Sequence, residues 1–261
     1  MLQFTTKYLK FRSNNATSIS YCYNLLHRTN ESFLNIFAQM DYQKLEEFIS
    51  KPRLDRYLLS CSNSKERAVK LYEANLTISQ AFYPIMNLFE TFLRNSINDK
   101  LTIHFSDDAW IITQKIGFMN DISLAPKYWI KNQIFNAERN TRGTITPGKI
   151  VAEQTFGFWT SLFEPRHYRL IGGYVIHCFP NKPTWANRNV IANMLKDIRE
   201  FRNRVYHNEA ICFNNITIDF AHAKGIKADI YKLLEWMDVD LSNYVTQFDN
   251  VDSSIAHAIT I

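Results

Sequence analysis

Arg202 and His207 stand five residues apart in the segment DIREFRNRVYHNEA. An arginine is a permanent cation whose planar fork fits phosphate, and a histidine can take or give a proton near neutral pH. Together they supply what metal-free cleavage of a ribose-phosphate chain requires: charge for the phosphate oxygens and a proton carrier. Asn203 is four residues before His207, so on a helix its amide could hydrogen-bond an imidazole nitrogen and fix the tautomer. Glu200 stands in the same relation to Arg204, and Asn208 and Glu209 follow directly and could line one pocket.

On an ideal helix each residue advances ~100°. Taking Ile191 as zero, Met194, Leu195, Ile198, Phe201 and Val205 fall within about 80° of it and define an apolar face. Arg202 falls at roughly 20°, inside that stripe, where a guanidinium is costly unless paired. His207 falls at about 160°, so it meets Arg202 only if the helix ends near Tyr206 or a second subunit contributes. By itself the pair is weak evidence, because a chain with 7 histidines can place one at a helix end by chance.

The elements that must carry these residues read as helices. Residues 1–39 are polar and irregular and are expected to be a poorly structured extension. From Asp41, DYQKLEEFISKPRLDRYL reads as a short amphipathic helix interrupted by Pro52. Ala68, Leu71, Asn75, Ile78, Ile85, Phe89, Leu93 and Ile97 repeat at threes and fours between Ser64 and Phe105, with Pro84 expected to kink or restart the helix. Within that stretch Glu90 and Arg94 are four apart, the spacing of an intrahelical ion pair. In TPGKIVAEQTFGFWTSLF, Thr146 caps and Pro147 opens a helix with apolar Ile150, Val151, Phe158, Trp159 and Leu162. A helix begins near Thr184 and another runs from Asp219 to about Tyr244, leaving 246–261 as a C-terminal tail. No strand alternation stands out.

Composition agrees. Hydrophobic residues make up 46% and aromatics 14%, enough for a core, and glycine and proline number 7 each, which disfavours a turn-rich β fold. The net charge is +5, yet from Asp219 onward acids outnumber lysines seven to three, so the first 218 residues carry about +9. A basic body permits a polyanionic partner. Cys22, Cys61, Cys178 and Cys212 are scattered, without zinc-ligand or disulfide spacing. No apolar run reaches membrane-spanning length and the first residues lack a signal-peptide core, so no membrane and a cytoplasmic location are expected.

Two further features invite a functional reading. Lys127, Trp129, Lys131, Arg139 and Arg142 interleave bases with aromatics, which can grip a single-stranded RNA but is more often an amphipathic helix with snorkelling lysines. Gly143–Ile150 nearly spells a phosphate-binding loop. It fails because Ile150 stands where a hydroxyl should reach magnesium and Pro147 removes an amide donor.

Three blocks in order, NLFETFLRNSINDKL, TPGKIVAEQTFGFWTSLF and LKDIREFRNRVYHNEAIC, resemble the Abi-like (abortive infection) family of bacterial proteins, whose catalytic module is a HEPN domain. The resemblance covers roughly residues 40 to 240, and the last block matches the HEPN signature of arginine, a polar residue, three more and histidine. It implies an all-α bundle of HEPN type with additional N-terminal helices, spanning 40–245. It also implies a homodimer that joins two motifs and a cofactor-independent, metal-independent endoribonuclease acting in phage defence or as a toxin, with an antitoxin protein or small RNA as a possible partner. By that resemblance Arg202 and His207 are the catalytic pair and Asn203 the motif's polar residue. Glu90, Arg94 and Asn95, in the first block, either support the site or brace the helix. A non-catalytic HEPN module that binds RNA or a nucleotide is the alternative.

Overall fold

The computed structural model describes residues 41–260, so the expected extension over residues 1–39 lies outside the described residues. The chain divides into two units at Ile49 and Ser50. Of the first, the described part is one helix, α1 (Tyr42–Ile49), capped by Asp41, whose carboxylate accepts from the Lys44 N–H at 2.8 Å. Ser50, at φ 88°, breaks the helical path there, and Pro52 sits in the first turn of α2 (Lys51–Ser60). The single interrupted helix expected from Asp41 is therefore two helices.

The spine of the second unit is α3 (Lys65–Phe105), 41 residues and about 60 Å long. Ser64 caps it, and Ser106 ends it in the left-handed region at φ 52°. Ala68, Leu71, Asn75, Ile78, Phe82, Ile85, Phe89, Leu93, Ile97 and Leu101 follow one another at steps of three or four and are all but inaccessible to solvent. The helix does not restart at Pro84 but runs through it. Burial on both sides of the proline outweighs the one hydrogen bond it cannot donate.

Five further helices follow the spine in the chain. They are α4 (Trp110–Thr113), α5 (Trp129–Asn140), α6 (Pro147–Glu153), α7 (Phe156–Ser161) and α8 (Pro165–Leu170), followed by a 3-10 turn, Tyr174–Cys178, packed on α3. TPGKIVAEQTFGFWTSLF divides at Gln154 because Thr155 acts as a second cap, accepting from Phe158 N–H. Trp110 and Trp159 pack edge to face, 6.5 Å between centroids, in the core beneath α7.

Helix α9 (Arg188–Tyr206) begins four residues later than expected. The Asn187 side chain accepts from the Asn189 and Val190 N–H groups at 2.9 and 3.2 Å and sets that start. Ile191, Leu195, Ile198, Phe201 and Val205 are buried as the periodicity anticipates. The chain then forms a small hairpin, β1 (Phe213–Asn214) and β2 (Thr217–Ile218), with Phe213 opposite Ile218. Its turn carbonyls accept from α2: Arg56 donates to Asn215 at 2.9 Å and Ser60 to Ile216 at 2.7 Å. Two-residue strands leave no alternation to read, which is why the sequence did not announce them.

Last come α10 (Ala221–Met237), α11 (Val239–Thr246) and α12 (Val251–Ala258). The single helix expected from Asp219 to Tyr244 is split at Asp238, whose side chain accepts from Asp240 N–H at 2.9 Å and caps a new helix. The stretch expected to be a tail holds α12, which packs on α3 with Val251, Ile255 and Ala258 buried. The described residues are thus mostly helical, with twelve α-helices and one hairpin of two-residue strands.

The α10–α12 corner is tied by charge. Lys227 reaches Asp249 at 2.7 Å and Asp252 at 2.6 Å, and Tyr231 donates to Asp249 at 2.8 Å. Burial alone would raise the Asp249 carboxyl. Hydrogen bonds from Lys227, the Val251 N–H and Tyr231 outweigh it and hold the group below its ordinary value. Such a carboxylate stabilises the fold above its unfolded pKa, and that contribution is lost as pH falls through the folded value. Asp249→Asn is therefore expected to cost about 2 kcal/mol at pH 7, measured by urea unfolding. The difference from wild type should shrink as the titration is repeated toward pH 3, and a pH-independent difference would contradict this account.

Candidate active site

The motif lies at the C-terminal end of α9, where that helix crosses α3. The pairings run in opposite chain directions: Glu90 meets Arg202, Tyr83 meets Tyr206 and Asn75 meets Ile211. Between them Phe82 and Phe201 pack edge to face at 4.8 Å and close the interface to water.

Arg202 sits on the inward stripe, as its wheel position requires. Its Nη2 lies 3.4 Å from Glu90 Oε2, and its guanidinium carbon is 4.1 Å above the centre of the Tyr206 ring one turn later. Its Nε is buried with no hydrogen-bond partner. Glu90 does not pair with Arg94, as the four-residue spacing suggested, but reaches across to α9. Arg94 instead donates to Asn95 at 3.3 Å.

Burial pushes the Glu90 carboxyl above its ordinary value. The Arg202 and Arg94 guanidiniums and the backbone N–H of Phe156 pull it back without cancelling the rise. At 3.4 Å the gross attraction between Glu90 and Arg202 is about 5 kcal/mol at an effective dielectric near 20, and desolvation removes much of that. The carboxylate therefore joins three elements, since Phe156 opens α7. Tyr206 stacks on Tyr83 with centroids 5.5 Å apart and rings 29° from parallel. Burial, then the neighbouring Tyr83 phenol, push the Tyr206 hydroxyl up to about 12, so it stays a neutral donor.

His207 is the C-cap of α9, with its N–H on the Asn203 carbonyl. Beyond it the chain makes a full Schellman turn. Asn208 takes φ 52°, its N–H reaches Val205 O at 3.1 Å, and the Glu209 N–H reaches Arg204 O at 2.8 Å. Arg204 braces the turn by donating to the Ala210 carbonyl, with its Nε 3.6 Å from Glu209. Glu200, expected to pair with Arg204, lies instead 3.8 Å from Lys196. Asn75, wholly buried on α3, accepts the Ile211 N–H at 2.8 Å and fixes where the chain goes next.

Leaving the helical register has a consequence. Asn203, His207, Asn208 and Glu209 are all exposed, and no hydrogen bond joins the Asn203 amide to the imidazole. Within one protomer the described residues show no contact between His207 and Arg202. The structure gathers Arg202, Glu90, Tyr206 and Tyr83 on one side of α9 and presents His207 at its tip. Tyr83 and Tyr206 were missed in the sequence. Only the four-residue step from Arg202 to Tyr206 hinted at the stacked ring.

The other candidates fall elsewhere. Lys127, Trp129, Arg139 and Arg142 are exposed on α5 and its flanks. Lys131 is spent on Asn120 at 2.8 Å and lies over the Tyr128 and Phe135 rings. Asn95 lines a groove with His177 and Cys178 rather than facing Arg202. In the loop that resembles a phosphate cradle, Lys149 folds back onto the Thr144 and Arg142 carbonyls at 2.9 and 3.4 Å and closes the space itself. Among the described residues no group of three or more His, Cys, Asp or Glu side chains is placed to hold a metal ion, and no helix is long and apolar enough to cross a membrane.

Comparison with family models, with curated proteins and with solved structures finds no match for this chain.

If Glu90 and Arg202 sustain each other, removing either leaves the other half-buried without its partner. Glu90→Ala and Arg202→Ala are each expected to lose about 1–3 kcal/mol. The double variant should lose less than the two combined, by about 1 kcal/mol, in a urea-denaturation cycle. Strict additivity would mean the contact carries no coupling.

Proposed function

We propose that this chain is a HEPN-type endoribonuclease of the Abi-like kind, acting on RNA without a metal and working as a phage-defence or toxin effector. The observation that carries the reading is the end of α9. A guanidinium is held on an aromatic ring one turn before a capping turn that frees an imidazole at the helix tip.

In the proposed reaction a ribose 2′-OH attacks the adjacent phosphorus. The O2′–P bond forms as the P–O5′ bond breaks, giving a 2′,3′-cyclic phosphate and a 5′-OH end. His207 takes the 2′ proton or delivers one to the leaving oxygen, and Arg202 stabilises the charge that builds on the phosphorane oxygens. DNA lacks the nucleophile and is spared. Because His207 does not touch Arg202 in one protomer, the working pocket is composite: a two-fold pairs the α9 tips of two copies. An antitoxin protein or small RNA that covers this surface would restrain the activity.

A second reading has its own support. Arg202 is engaged by Glu90 and Tyr206, and a guanidinium so occupied suits a HEPN module that grips RNA or a nucleotide without cutting it.

The two are separated by incubating the full chain with end-labelled RNA in EDTA. Fragments ending in a cyclic phosphate are expected from wild type, and His207→Ala should slow their appearance by about 10²–10⁴. RNA retained intact would favour the binding module, and undiminished cleavage by His207→Ala would remove that residue from the mechanism.

A further inference from the structure

Away from Arg202, α9 borders a cleft that neither the motif nor the resemblance accounts for. Helix α9 lines one wall with Arg188, Asn193, Lys196 and Arg199, and the facing wall is Thr160 at the end of α7 and Glu164 at the start of α8. The space is about 200 Å³, too small for a folded partner and ample for one phosphate group with its water. Three cations meet there with a single lining carboxylate.

These cations are not consumed by ion pairing. Among the described residues neither Arg188 nor Arg199 has a carboxylate partner. Arg188 donates to the Phe163 carbonyl at 2.9 Å and to Asn189 at 3.1 Å, and Arg199 donates to Thr160 Oγ1 at 3.2 Å. Among the described residues Lys196 has only the loose, exposed contact to Glu200 at 3.8 Å. Neutral partners orient the two guanidiniums without neutralising them, which leaves the charge available to an anion.

The position on α9 links the cleft to the motif. Counting ~100° per residue from Arg188, Lys196 falls near 80°, Arg199 near 20°, Asn203 near 60° and His207 near 100°, all on one side of the helix. The buried face, from Ile191 to Val205, lies on the other side, between roughly 220° and 340°. At ~1.5 Å per residue the step from Arg199 to His207 is about 12 Å along that exposed side.

We infer that this cleft seats a backbone phosphate of the same RNA strand that is cut at His207, so that α9 serves as a phosphate track leading to its own tip. The inference rests on the proposed nuclease reading for the identity of the polyanion. The cleft's chemistry, three cations around a phosphate-sized space, stands on its own. Against the basic and aromatic face of α5 it has the advantage of lying on the helix that bears the motif.

The test uses the full chain carrying His207→Ala, so that binding is read without cleavage, and a labelled single-stranded RNA titrated across a salt series. Adding Lys196→Gln and Arg199→Gln together is expected to raise the Kd at least tenfold. The same pair should reduce the slope of log K against log salt by about 1.4, near 0.7 for each cation removed. Lys127→Gln with Arg142→Gln, two charges removed from the α5 side, should leave both quantities nearly unchanged. An unaltered Kd and slope for the α9 pair overturns the inference. So does inorganic phosphate binding that the α9 pair abolishes while RNA affinity is untouched, because the cleft would then be a small-anion site. Cleavage is scored separately in the wild-type background. If RNA binding depends on the α9 pair but no cleavage occurs, the track stands and the nuclease reading falls; cleavage with α9-independent binding gives the reverse.

Discussion

The arrangement depends on one half-buried carboxylate. Glu90 projects from the central helix to a guanidinium on α9 and an amide that opens α7, so three elements take their relative placement from it. Such a group is expensive: burial raises its pKa even with two arginines nearby. An apolar residue there would pack without that cost. What the carboxylate supplies instead is a reason for Arg202 to occupy the inward stripe and lie flat on Tyr206. Without it a guanidinium at that wheel position would have little reason to turn inward rather than toward water.

That same constraint explains why the two motif residues part company. The helical register that sends Arg202 inward sends a residue five positions later to the other side. The Schellman turn then takes the chain out of the helix at His207, with Asn208 supplying the left-handed residue. Asn75 and Arg204 hold the exit path by gripping the chain at Ile211 and Ala210. The imidazole is thus presented at the helix terminus and has no partner among the described residues, a geometry that makes sense if something outside the protomer completes it.

Much of the helical architecture was legible because burial enforces it. The threes and fours of α3 and the buried face of α9 lie where their periodicity places them, and Arg202 lies on the stripe its angle assigns. What could not be read was decided by local competition or by distant partners. Pro84 does not break α3, since packing along its whole length outweighs one absent donor. Asp238 and Thr155 divide apparently continuous helices, because their side chains satisfy backbone amides better as caps. Glu90 chose Arg202 over Arg94, a choice between a local spacing and a contact more than a hundred residues away. Tyr83, which stacks on Tyr206 from the other helix, carries no spacing signal, and only the fold brings the two rings together.

On the proposed reading Arg202 of one copy and His207 of another complete one cleaving pocket, and mixing two variants probes that pairing. Arg202→Ala and His207→Ala chains are unfolded and refolded together so that subunits redistribute, and RNA cleavage is followed in EDTA. In random pairing half the dimers are mixed, and each mixed dimer holds one intact composite site, so recovery to about a quarter of wild-type activity is expected from two variants that are silent alone. If the mixture stays as inactive as its components while refolded wild type cuts RNA, the pocket is not shared between copies and the account fails.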